Sequence, residues 1–188
     1  MIVSHSKVLV GIDPATAGSA VVLIGTSVPA VILWKKVTRK KRKVFSVSIS
    51  FSNSKNVQTT LCRTPAHIGA VISGLSCLNI VNGISIEDCY FHKNPKTTIM
   101  LARFGTAVSA PLQIKCGFDP VFVAPTEWRK SVIGVRTRIK REEAKRLSLK
   151  HLPLLLPELE HHLNLLGRYD HITDAAGIAL WLSYKYSK

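Results

Sequence analysis

Asp13, Glu87, Asp170, His171 and Asp174 are the residues whose type and setting suggest chemistry. Only 11 of the 188 residues are acidic, so each acid can be weighed separately. Asp13 ends the run KVLVGI and precedes Pro14 and a string of small residues. Proline fixes its own φ and steers the residue before it away from helix, so Asp-Pro favours a turn. Taken alone, a turn and a functional carboxylate at a strand end account equally well for Asp13. Glu87 lies within ISIEDCYF (84–91), an apolar stretch in which an unpaired carboxylate is costly. Either a Lys or Arg neutralises it or it belongs to a site. His171 and Asp174 are three apart in RYDHITDAAGIALWL and share one helix face. Asp170 suits an N-cap or first-turn position, where a carboxylate complements the helix dipole, and that role is compatible with a place in a site. Glu142 and Glu143 sit in a basic segment, Glu158 and Glu160 in a turn, Asp119 in a loop, and Asp88 opposite Glu87 on the strand.

Carboxylates that converge repel one another, and divalent cations offset that repulsion. Mg²⁺ takes oxygen ligands and keeps several waters, so a few carboxylates plus a substrate phosphate suit it; Mn²⁺ is expected to substitute. Two such ions roughly 4 Å apart can activate water and stabilise the leaving oxygen of a phosphodiester. Convergence of these acids would therefore give phosphodiester hydrolysis.

The elements that must position them follow from periodicity and punctuation. Residues 7–12 and 19–24 read as strands joined by the Asp13 turn, 28–36 as a third strand, and 44–52 as an alternating fourth. Thr64-Pro65 opens a helix over 65–79, and 84–91 is the strand that carries Glu87. Asn94-Pro95 opens a helix to about 110–113, and 120–125 is a short buried strand. Thr126 caps a helix to about 132, 138–151 is a basic helix ended by Pro153, and 172–186 is a final helix. Strands first, then alternation, then helices, predict an α/β fold with a mixed sheet and helices on both faces. No linker or repeat divides residues 1–188, which read as a single domain.

The bulk properties narrow the function class. Lys plus Arg total 26, giving a net charge of +15 and a pI near 10.0. Residues 35–43 (KKVTRKKRK) hold seven bases and no acid, and residues 129–150 hold nine bases with only Glu142 and Glu143 opposing them. Two basic clusters point to a polyanion such as nucleic acid. The run Arg39, Lys40, Lys41, Arg42 and Lys43 is either a solvated loop or a DNA-contacting one. A hydrophobic fraction of 46% and a mean hydropathy of +0.18 fit a packed core. The longest apolar runs fall far short of the roughly 20 residues of a membrane span, and no signal peptide is legible. Cys62, Cys77, Cys89 and Cys116 form no C-x-x-C pair and read as reduced thiols. That suits an intracellular setting, either the cytoplasm or nucleoid of a bacterial or phage-infected cell or an organelle, and not secretion.

In this order and spacing the motifs resemble a RuvC-type Holliday junction resolvase, on the RNase H-like (retroviral integrase) fold. GIDPATAG resembles the opening strand-and-turn motif, SIEDCYFHKN the second motif, and HITDAAGIAL the final helix with two site residues three apart. The resemblance implies a mixed five-stranded sheet flanked by helices. It implies that Asp13, Glu87 and Asp174 hold metal, with His171 at the position three before the last carboxylate and Asp170 as a further candidate ligand. It places Tyr90 where an aromatic stacks on bases, Lys93 and Asn94 at the mouth of the site, and Arg129 and Lys140 at basic positions linked to DNA contact or activation. It further implies a homodimer that makes paired nicks in a four-way junction. The long basic insertion before Glu87 departs from the bacterial core pattern, and the segment PTEWR (125–129) is closer to the RuvC-like proteins of phages and organelles. Two other readings stay open: a non-catalytic DNA-binding module on the same fold, and an RNase H-type activity on RNA–DNA hybrids.

Overall fold

The structure is a computed structural model that describes residues 8–14, 20–25, 43–45, 81–89, 94–117, 119–135, 139–157, 159 and 169–186. Its strands are β1 (Val8–Asp13), β2 (Ala20–Gly25), β3 (Lys43–Phe45), β4 (Val81–Glu87) and β5 (Val121–Val123). Its helices are α1 (Pro95–Cys116), α2 (Pro125–Ile133), α3 (Arg141–Leu155) and α4 (Tyr169–Tyr186). The sheet order is β3-β2-β1-β4-β5. β2 runs antiparallel to β1 and β3, whereas β4 is parallel to β1 and β5 parallel to β4. This is the mixed α/β sheet that the order of elements predicted.

Alternation along the strands assigns their faces. Val10, Ile12, Ile84 and Ile86 are fully or almost fully buried on one face. α1 packs on that side, with Phe104, Val108 and Leu112 buried and Gly105 against Phe122 of β5. Gly11, Asp13, Gly83, Ser85 and Glu87 point to the other face, where α4 lies. The main core sits there, built from Ala20, Val22 and Val123 of the sheet, Trp128 and Val132 of α2, Leu152 of α3, and Ile172, Ala175, Ala176 and Ile178 of α4. Helices therefore cover both faces.

α4 approaches β1 closely because both surfaces are bare. A Cβ on Gly11 would fall 2.1 Å from the Ala175 carbonyl oxygen and 2.6 Å from the Ala179 amide nitrogen. Ser85 joins the layers, its Oγ standing 3.1 Å from the Ile178 carbonyl and 3.3 Å from that of Val10.

Several boundaries differ from expectation. β4 spans Val81–Glu87 rather than 84–91. Gly83 lies inside the strand, closely covered by α4: a Cβ there would fall 2.9 Å from the Tyr186 ring and 3.3 Å from Leu182. Asn94 caps α1 as predicted, accepting from the Lys96 amide at 3.0 Å. The helix then runs to Cys116 through Pro111, since losing one N–H interrupts a single ladder bond and packing carries the rest. α2 starts at Pro125, with Ala124 and not Thr126 at its N-cap, because proline at the first helical position presets the φ angle. α3 begins at Arg141 and extends past Pro153 to Leu155, and α4 begins at Tyr169, placing Asp170 in its first turn. The predicted strand at 28–36, most of that at 44–52 and the helix at 65–79 lie outside the described residues. Among the described residues no helix is long and apolar enough to cross a membrane.

Candidate metal centre

Asp13 and Glu87 end two neighbouring parallel strands whose last registered pair is Ile12–Ile86. One residue further along, both side chains point to the α4 face. Close packing of α4 on Gly11 brings Asp174, beside Ala175, to the same place. Asp13, Glu87 and Asp174 each offer an oxygen, and these atoms lie within 4.8 Å of one another. Asp13 is 4% and Asp174 7% exposed, so two of the three acids are withdrawn from water.

Each acid has a protein partner. Asp13 Oδ2 and His171 Nδ1 stand 2.6 Å apart and share a hydrogen bond. Glu87 Oε1 accepts from Trp128 Nε1 at 3.2 Å. Asp174 Oδ2 accepts from Arg129 at 3.1 Å, an ion pair whose side chains are 17% and 10% exposed. Two atoms at that pair, Asp174 Oδ1 and Arg129 Nε, are buried without a hydrogen-bond partner among the described residues.

The electrostatics register the crowding. The Glu87 carboxyl is pushed well above the usual range, first by burial and then by the charges of Asp13 and Asp174; the Trp128 hydrogen bond and Arg129 pull it back in part. Asp174 is pushed up from 3.8 to about 6 by burial and by Asp13, against the opposing pull of Arg129 and His171. Acids that resist joint ionisation, an Asp174 oxygen without a donor among the described residues, and a ligand set made only of hard oxygens fit a hard divalent cation. Arg129 supplies one positive charge here, which does not satisfy the three acids.

Of the other residues singled out from sequence, His171 and Arg129 adjoin the cluster. His171 is on the Asp13 side of the cluster through its hydrogen bond. Asp170 is in the first turn of α4, with its side chain outside the described set. Asn94 is exposed and its side chain caps α1. Lys140 is exposed at the N-cap position of α3. Lys43 opens β3, again without a described side chain, while Arg39, Lys40, Lys41, Arg42, Tyr90 and Lys93 lie outside the described residues. Arg129 faces inward to Asp174. Sequence reasoning did not assign Trp128. Its signal was available: a buried indole N–H requires an acceptor, and this chain offers few acids to serve as one.

No family model matches the chain, and no curated protein matches it. Solved structures do. RuvC of Thermus thermophilus in complex with a Holliday junction substrate superposes with a TM-score of 0.62 at 16% identity, covering 96% of this chain and 94% of that one. A second Thermus thermophilus RuvC structure gives a TM-score of 0.61 at 15% identity, covering 96% of each chain. The protein thus has the fold of RuvC over nearly its whole length.

Proposed function

We propose that this protein is a divalent-metal-dependent endonuclease that nicks branched DNA, with the four-way junction as its preferred substrate. The observation that carries the reading is the meeting of Asp13, Glu87 and Asp174 within 4.8 Å at the ends of β1 and β4 and on α4. The RuvC fold and a net charge of +15 support it. Asp13, Glu87 and Asp174 would hold Mg²⁺, or Mn²⁺ in its place, with Asp170 as a further candidate ligand. When bound, such an ion supplies Lewis-acid stabilisation of phosphoryl charge and makes water more acidic.

The chain's own residues do the rest. Asp13 fixes the His171 ring, and His171 positions the attacking water or takes its proton as the opposite P–O bond breaks. Arg129 holds Asp174 on its Oδ2 side and limits the repulsion among the acids. By the resemblance, Tyr90 would stack on bases, Lys93 and Asn94 would serve the mouth of the site, and Lys140 with the 39–43 run would bind phosphates. Two copies acting as a homodimer would supply the paired nicks that symmetric resolution needs, since one site cuts one strand.

The test is cleavage of a labelled four-way junction beside linear duplex, a flap and an RNA–DNA hybrid, with Mg²⁺, Mn²⁺ or EDTA. Paired symmetric nicks in the junction are expected with either metal and none with EDTA. Asp13→Asn should keep binding and cut no faster than background. Wild-type rates in that variant would sink the metal assignment. Cutting confined to the hybrid would favour an RNase H-type enzyme, and binding without any cut would favour a non-catalytic module.

A further inference from the structure

We propose that Trp128 is a positioning residue of the metal centre: its indole N–H fixes the Glu87 carboxylate in the direction that metal binding requires. The proposal rests on the metal-dependent reading above and concerns a residue which that reading does not use.

Trp128 is fully buried in α2, and its single polar atom is directed at the site, with Nε1 3.2 Å from Glu87 Oε1. The ring itself is locked. It lies against Gly177 of α4, where a Cβ would fall 2.4 Å from Cζ3 and 2.7 Å from Cε3. The neighbouring Arg129 guanidinium carbon stands 4.7 Å from its ring centroid. One immobile side chain therefore touches the strand that carries Glu87 and the helix that carries Asp174.

The choice of donor has a consequence. A Lys or Arg on Glu87 would neutralise the charge a cation needs. The indole N–H is neutral, so it orients the carboxylate without competing for it. Two successive residues of α2 thus act on different acids. Trp128 sets direction on Glu87, and Arg129 sets charge at Asp174. A glutamate has several rotatable bonds, and without this donor its oxygens would sample positions away from Asp13 and Asp174.

The experiment is a Mn²⁺ titration of the full chain followed by electron paramagnetic resonance of the free ion. Wild type, Asp13→Asn, Trp128→Phe, and a protein carrying benzothienylalanine at position 128 are compared. That analogue keeps the shape of the indole and puts sulfur in place of N–H. Both position-128 proteins should bind Mn²⁺ about 10-fold more weakly than wild type. Thermal midpoints should fall in Trp128→Phe, which loses packing, and stay near wild type in the analogue. If the phenylalanine variant does not fold, the analogue decides alone. Wild-type Mn²⁺ affinity in the analogue protein overturns the proposal and leaves the metal reading standing. A wild type that takes up no more Mn²⁺ than Asp13→Asn overturns the metal reading, and this proposal with it.

Discussion

At the scale of single residues, the centre is defined by acids that do not readily ionise together. Asp174 titrates near 6 because burial and Asp13 outweigh Arg129 and His171. The folded chain thus binds this proton more tightly than the unfolded chain does. The stabilisation from that proton is present in full below about pH 4 and is lost as pH rises through 6. A metal ion must displace the same proton. Mn²⁺ affinity should fall as pH drops through 6, by about tenfold per pH unit for each proton released on binding. Isothermal calorimetry at pH 7.5 and pH 5 measures this, and equal affinities would show that Asp174 does not ligate the ion. Glu87, raised in the same direction, reinforces the trend.

At the scale of elements, the centre exists because α4 lies directly on β1. Gly11 is required there by contact, since any Cβ meets the Ala175 carbonyl at 2.1 Å. Gly11→Ala must push helix from strand, a distortion that typically costs about 1–3 kcal/mol. Because Asp174 adjoins Ala175, the same displacement should part Asp174 from Asp13. Urea denaturation should report the lower stability, and a Mn²⁺ titration of the folded variant should report weaker binding. A variant that loses stability with unchanged Mn²⁺ affinity would mean the carboxylates are held independently of this packing. The caps show how local chemistry sets the element ends: Asn94 starts α1 by its side chain, and Pro125 starts α2 by its ring.

At the scale of the whole molecule, the charge asymmetry is large. A chain of net charge +15 also carries a cluster of three carboxylates, so phosphate is drawn to the protein while the acids suit a cation. Replacing Arg39, Lys40, Lys41, Arg42 and Lys43 by glutamine should weaken DNA binding at low salt. It should also reduce the slope of log affinity against log salt by about 0.9 for each phosphate that is no longer neutralised. Fluorescence anisotropy across a salt series measures that slope. An unchanged slope would show that this run does not touch phosphate, and the basic α3 segment would then carry the binding.

The sequence by itself determined the order of the described strands and helices, the scarcity of acids, the strand settings of Asp13 and Glu87 and the helix setting of Asp174. These are local matters of periodicity, turn chemistry and the cost of burying charge. It set the Asn94 cap for the same reason, while it misjudged the ends at Pro111 and Pro153, where packing outweighs one missing hydrogen bond. Tertiary structure alone decided that the three acids meet. That depends on parallel register between β1 and β4, separated by more than 60 residues of chain, and on the bare contact of α4 with Gly11. It alone turned Arg129 inward to Asp174 and gave the Trp128 indole to Glu87. A donor's partner across 41 residues is fixed by how α2 packs beside β4, which no spacing along the chain encodes.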